Sequence, residues 1–182
     1  MPLPKLNPAQ VQRVIQRVTE YIERQRQTYR PSAVVLDPNK LAAMCPFFPA
    51  STLDAARLAV LAGNWVSNPP FYGELVRMGF EADSLPNFAF MTAVTFVDTV
   101  VSREPFSNSV LFHELVHVVQ YQKLGLIEFA AKYVRGFLGG GSYEAIPLEM
   151  NAYELEARFA AAPANSFLVA DEVQKWIDAG RF

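Results

Sequence analysis

The sequence holds one cysteine and two histidines in 182 residues. A single cysteine excludes an internal disulfide framework and leaves the compartment open. The opening MPLPKLNPAQ lacks the hydrophobic run of a signal peptide. No stretch approaches the roughly 18 uncharged apolar residues of a membrane span, so none is expected. The expected localisation is thus cytoplasmic by default, with a secreted mature form left open. A strong charge of one sign is also missing. Net charge is -2 with no basic block, which speaks against a nucleic-acid partner. No internal repeat is visible. Apolar residues are what the chain has in quantity: 51% are hydrophobic, with 14 Phe. That is enough for a substantial core and does not read as disorder. The length suits one domain over residues 1–182.

The stretch NPAQVQRVIQRVTEYIERQRQ predicts a helix with Asn7 as cap, Pro8 at the first position and Gln10 closing a capping box. Val11, Val14, Ile15, Val18, Tyr21 and Ile22 form its apolar stripe. Residues 31–51 read as loop with short pieces, being punctuated by prolines. A second helix is expected from Thr52 to Leu61, capped by Ser51, and a short third one within FYGELVRMGF. Two strands are expected at 91–96 and 99–103, turning at Val97–Asp98, from their Val, Thr and Phe content. Ser107 or Ser109 then caps a helix to Lys123 that Gly125 ends. Its valines are poor helix formers, so burial must hold it, and a strand is the competing reading. A helix over IEFAAKYVRGFL, a flexible link at 139–142, a helix from Pro147 to Ala161 and a last helix in ADEVQKWIDAG complete the chain. The pattern is α+β and mainly helical. A mainly helical part covers 1–87, a core covers 88–162, and a terminal helix lies in 163–182.

Both histidines fall in VLFHELVHVVQYQ, as His113 and His117 with Glu114 between them. Residues four apart share one helix face, so two imidazoles can meet one metal ion. Glu114 can then reach a water on that ion. This is the H-E-x-x-H arrangement of zinc metallopeptidases. The flanks Val110, Leu111, Phe112, Leu115, Val116, Val118 and Val119 predict a buried helix. Polar groups buried there must be satisfied, by a metal or, in the plainer reading, by neighbouring hydrogen-bond partners.

A catalytic zinc takes three protein ligands and keeps one position open. PLEMNAYELEARF is the best source of the third. Glu149, Ala152, Tyr153 and Glu156 share one face of it. Glu149 is the preferred ligand. Glu156 is the runner-up, or a carboxylate that orients a histidine N–H. Glu154 and Arg158 suggest a solvent-side ion pair. Cys45 could cap the open position and hold the protein latent, although packing is the commoner role of a lone cysteine.

FHELVHVVQYQKLG followed by IPLEMNAYELEARF resembles the gluzincin group of zinc metallopeptidases. The likeness is to its minimal members and to compact bacterial HExxH domains, over residues 88–162. There a second helix brings a Glu ligand, often as E-x-x-A-D, and 149–153 follow that pattern except at Tyr153. The resemblance implies a zincin-like fold, with a small sheet or hairpin before the active-site helix. It implies one Zn2+ held by His113, His117 and Glu149, with Glu114 as general base. In the group, an Asp at the position of Tyr153 often braces a zinc-bound histidine, so that task would pass to the Tyr153 hydroxyl or to Glu156. Tyr133, Tyr143 and Tyr153, with Arg135, are the candidates for steadying an oxyanion. Residues 92–103 would offer an edge strand to an extended peptide substrate, with Thr95, Asp98 and Thr99 near its rim. FLGGGSYEAIP would be a loop over the site. The expected function is zinc-dependent peptide hydrolysis; the alternative is a zincin-like binding module without useful catalysis.

Overall fold

The structure is a computed structural model that describes residues 3–182. Eight α-helices and three strands follow one another along these residues. Helix α1 (Pro8–Tyr29) starts at the expected capping box, in which Asn7 accepts from the Gln10 N–H and Gln10 accepts from the Asn7 N–H. Helix α2 (Pro38–Met44) is a short piece inside the proline-punctuated stretch. Asp37 starts it by accepting from the amides of Asn39 and Lys40.

The helix expected over 52–61 is a correction. Helix α3 (Ala50–Ala55) stops early, and β1 (Arg57–Val60) follows at once. The cap is Pro49 rather than Ser51. Pairing with a distant strand overrides the local apolar pattern: β1 runs parallel to β3 (Thr99–Ser102), in register from Arg57 with Thr99 to Val60 with Ser102. Leu58 and Ala59 then point to opposite faces of the sheet. Short helix α4 (Tyr72–Arg77) lies in a long irregular segment that also holds the 3-10 turns Ala82–Ser84 and Phe88–Phe90.

Strand β2 (Ala93–Phe96) pairs antiparallel with β3, and the sheet order is β1-β3-β2. The two-residue turn Val97–Asp98 falls where expected, with Val97 at a φ of 63°. Valine resists that left-handed conformation. Asp98 holds the turn to α1 through a two-pronged pair with Arg26 (2.7 and 2.8 Å) and through Arg30 (2.8 Å).

Helix α5 (Asn108–Leu124) carries the two histidines and is capped by Ser107. Every residue from Leu111 to Tyr121 is buried. Apolar residues all round its circumference fit a helix enclosed on every side. One face of the sheet, with Leu58, Val100 and Ala93, packs on α5; the other, with Ala59, Val101, Val94 and Phe96, packs on α1 and on α6 (Leu126–Gly140). The sheet spans residue 88, because β1 comes from the N-terminal part and β2 and β3 from the core.

The link expected at 139–142 is shorter, since α6 continues through Gly140 and ends at a left-handed Gly141. Helix α7 (Pro147–Ala161) begins at Pro147 as expected, and α8 (Val169–Asp178) closes the fold. A Cβ on Gly136 would stand 2.6 Å from the Pro147 ring, so only glycine lets α6 pass so close to the start of α7. The expected Glu154–Arg158 pair is replaced by pairs with α8 and the C-terminus. Arg158 pairs with Glu172 and lies over the Phe167 ring, while Glu154 faces Arg181. Among the described residues no helix is long and apolar enough to cross a membrane.

Candidate metal centre

Helices α5 and α7 pack face to face, and Ala152, wholly buried, gives them room to approach. His113, His117 and Glu149 meet at this contact, all buried. His113 Nε2 lies 3.2 Å from His117 Nε2, and Glu149 Oε2 lies 3.4 and 3.3 Å from them. Among the described residues this is the group of ligand atoms able to hold a metal ion, all within 4.8 Å of one another. Glu149 stands in the first turn of α7, where the helix N-terminus favours a carboxylate.

The protonation pattern follows from what lies behind each ring. His113 Nδ1 faces Glu156 Oε2 at 3.0 Å, a carboxylate that can only accept. Ser109 donates to the other Glu156 oxygen at 2.6 Å. His117 Nδ1 faces Gln120 Oε1 at 2.8 Å. The amide end of Gln120 is fixed by its bonds to the Leu148 carbonyl and Asn151 Oδ1, both at 3.0 Å. Both Nδ1 atoms therefore donate outward, and both Nε2 atoms turn lone pairs toward Glu149. Glu149 Oε2 is buried with no hydrogen bond of its own. With both rings neutral, three electron-rich atoms converge with no donor between them, a demand that a metal ion or a proton on an imidazole can meet.

Protons answer the same demand: both imidazoles are drawn toward the charged form, in which Nε2 donates to Glu149. Burial works against charge on His113, but Glu149 and Glu156 outweigh it and push the imidazole up to about 10. Burial opposes the Glu149 charge too, and the two imidazoles hold its carboxyl down at about 2. His117 is also raised, the carboxylates overcoming its burial. Glu114 lies beside them, buried, with its Oε2 accepting from Thr95 Oγ1 at 2.7 Å. Burial raises its carboxyl, while the two imidazoles and Thr95 pull it back.

A cavity of about 120 Å³ opens onto Glu114, His117 and Glu149. Its walls include β2, α1, α6 and the irregular segment around α4. Strand β2 is at the sheet edge. Thr92 accepts from the Arg103 amide, so alternation turns the main-chain groups of Ala93 and Thr95 away from β3.

The other expected residues divide. Tyr133 and Tyr143 line the cavity, and burial raises both hydroxyls well above the usual range. Tyr153 is 46% exposed, with its ring 4.5 Å from that of His113. Glu156 stands behind His113 rather than in the ligand group. Thr95 is not a rim residue; it is buried against Glu114. Asp98 and Thr99 are occupied at the hairpin turn, Thr99 being wholly buried and donating to Asp98. Arg135 is exposed and outside the cavity wall. Cys45 is exposed at the end of α2, its thiol donating to the Ala42 carbonyl, and is not in the ligand group. FLGGGSYEAIP is not a loop throughout: it is partly helix, and its Ile146 is buried.

Gln120, Asn151 and Ser109 were not expected at the site. Gln120 carried a readable signal, since it lies three residues after His117 inside an otherwise apolar run. No protein-family model, curated protein or solved structure matches the chain.

Proposed function

We propose that the chain is a zinc-dependent metallopeptidase of the gluzincin kind, with a zincin-like core that hydrolyses peptide bonds. The observation that carries this reading is the convergence of two imidazole lone pairs and one unpartnered carboxylate oxygen beside a buried glutamate. Ligand atoms on a tetrahedral zinc lie roughly 3.3 Å apart, from bonds of about 2.0–2.1 Å. The separations of 3.2, 3.3 and 3.4 Å fit that edge length. The donor set of two histidines and a glutamate also suits zinc.

His113, His117 and Glu149 would hold the ion. When bound, zinc acidifies a water and polarises a carbonyl. Glu156 and Gln120 keep the two imidazoles in the tautomer that leaves Nε2 free. Glu114, oriented by Thr95, takes one proton from the water as its oxygen bonds to the carbonyl carbon. The same carboxyl hands that proton to the leaving nitrogen, the C–N bond breaks, and a carboxylate and an amine result. Tyr133 and Tyr143 are the hydroxyls in the cavity wall that can donate to the carbonyl oxygen as charge develops there. On the edge of β2 beside Glu114, the Ala93 main-chain groups and the Thr95 amide can pair with the substrate's amide, the Thr95 carbonyl being taken by the Tyr121 hydroxyl.

Metal analysis of the purified protein should find about one zinc per chain, the count one three-ligand site implies. Glu114→Gln should keep the zinc and lose peptide cleavage, and Glu149→Ala should lose both. A wild-type protein that takes up no divalent metal would refute the proposal.

A further inference from the structure

The metal centre is closed in. His113, Glu114, His117 and Glu149 are each at most 7% exposed. The cavity that opens onto them, about 120 Å³, is smaller than the roughly 150 Å³ that holds one benzene ring. A stretch of peptide does not fit in it, so such a substrate reaches the site only when a wall moves. Two of the walls are pinned. Strand β2 is paired with β3, and Arg26 and Arg30 tie α1 to the hairpin turn.

The segment between β1 and β2 is held differently. Its two ends clip to one residue: the Gly63 amide donates to the Arg103 carbonyl, and the Arg103 amide to the Thr92 carbonyl. Ala62 (φ 48°) and Gly63 (φ 87°) turn the chain sharply at this neck. Among the described residues, every main-chain hydrogen bond that 65–91 make to another main-chain group stays inside that stretch. The stretch is also braced across itself. Asn68 Oδ1 accepts from the Phe88 amide, and the Tyr72 hydroxyl donates to the Pro86 carbonyl. Past the neck, its polar ties to the rest of the described residues all run to α1. The Tyr21 hydroxyl donates to the Ser67 carbonyl, and Glu74 pairs with Arg13 and Arg17. Between α4 and α1 lies a surface cleft of about 430 Å³. Tyr21 and Phe71 line both this cleft and the inner cavity, their rings edge-on at 6.4 Å, and so form the partition between the two.

We propose that residues 65–91 form a hinged lid, with Phe71 on the lid and Tyr21 on α1 as its gate. Long connections of this kind commonly serve as lids over a site. The internal braces let the stretch move as one body about its neck at Arg103. Swinging it away from α1 joins the outer cleft to the inner cavity and clears a path to Glu114. The same movement bares Leu75, Phe80 and Leu85, buried apolar residues of the cavity wall. The closed form therefore prevails and keeps the site latent between openings. That the path admits a peptide rests on the hydrolase reading above; the lid itself stands on the fold.

Thiol labelling of the full chain with a maleimide tests the lid, after the exposed Cys45 is replaced by Ser. Val134→Cys on α6 and Val14→Cys on α1 place independent reporters at buried positions of the inner cavity. Val173→Cys, buried on α8 outside the cavity wall, reports global unfolding. Both inner reporters should react about tenfold or more faster than Val173→Cys, because a lid opens more often than the whole molecule. Glu74→Gln releases the pairs with α1 and should speed inner labelling about two- to fivefold. Phe71→Ala removes the partition and should speed it about tenfold or more. Val173→Cys should gain less in either background. Inner reporters that react no faster than Val173→Cys overturn the proposal, as do inner rates that neither Glu74→Gln nor Phe71→Ala changes. Without any reporter, Glu74→Gln should raise peptide cleavage by the zinc form in the same proportion, and a fall in cleavage counts against the lid. Labelling in the expected order without cleavage of any peptide leaves the lid standing and removes the hydrolase reading.

Discussion

Gln120 is wholly buried and spends both ends of its amide, one on His117 and the other on the backbone of α7 beside Glu149. It therefore fixes a tautomer and also ties the two ligand-bearing helices together. Gln120→Leu should weaken zinc binding about 10- to 100-fold, the usual effect of losing a partner behind a ligand. Competition against a chelator measures that. The same change orphans the buried Asn151 Oδ1 and should cost about 1–3 kcal/mol in denaturant unfolding. Thr95 acts on Glu114 in a different way. Its hydroxyl stabilises the ionised carboxylate, so Thr95→Val should raise the pKa of Glu114. Zinc content should be unchanged, while the acid limb of the pH–rate profile moves to higher pH.

Two close fits between elements locate the site. At Gly136, α6 passes the Pro147 ring at a distance that excludes a methyl group. Gly136→Ala should push α6 from the start of α7, the turn that carries Glu149. A stability loss of about 1–3 kcal/mol is expected from overpacking, together with weaker zinc binding. The second fit joins the β2–β3 hairpin to α1. Burial raises the Asp98 carboxyl, but the Arg26 hydrogen bonds and the Arg26 and Arg30 charges outweigh it, and the net shift is downward from 3.8. A depressed carboxylate contributes stability that is present above its unfolded value and lost as pH falls through its folded one. The wild type should accordingly lose stability below about pH 4 more steeply than Asp98→Asn, as thermal melts across that range would record.

At the scale of the whole molecule, His113 and His117 on α5 and Glu149 on α7 would make a bound ion a cross-link between helices. Zinc at a free concentration about 100 times its dissociation constant should add about 2.7 kcal/mol. For a chain of this size that raises Tm by roughly 5–10 °C, and a chelator should reverse it. Glu149→Ala should abolish the zinc-dependent part of the melting temperature.

Local chemistry left clear marks on the chain. The capping box at Asn7, the stop at Gly125 and the start at Pro147 are set by neighbouring residues, and the structure puts helix ends there. The hairpin at 93–102 was legible from its Val, Thr and Phe content, and the convergence of His113, His117 and Glu149 because helical spacing puts the two imidazoles on one face of α5 and Glu149 on the Ala152 face of α7. Strand β1 was not legible: its four residues read as helix until a strand some forty residues away in the chain pairs with them. Nor could the sequence reveal the cavity, whose walls are drawn from α1, α6, β2 and the segment around α4. Spacing along a chain encodes which residues share a face, whereas a cavity is the space several faces leave between them, and only packing decides that.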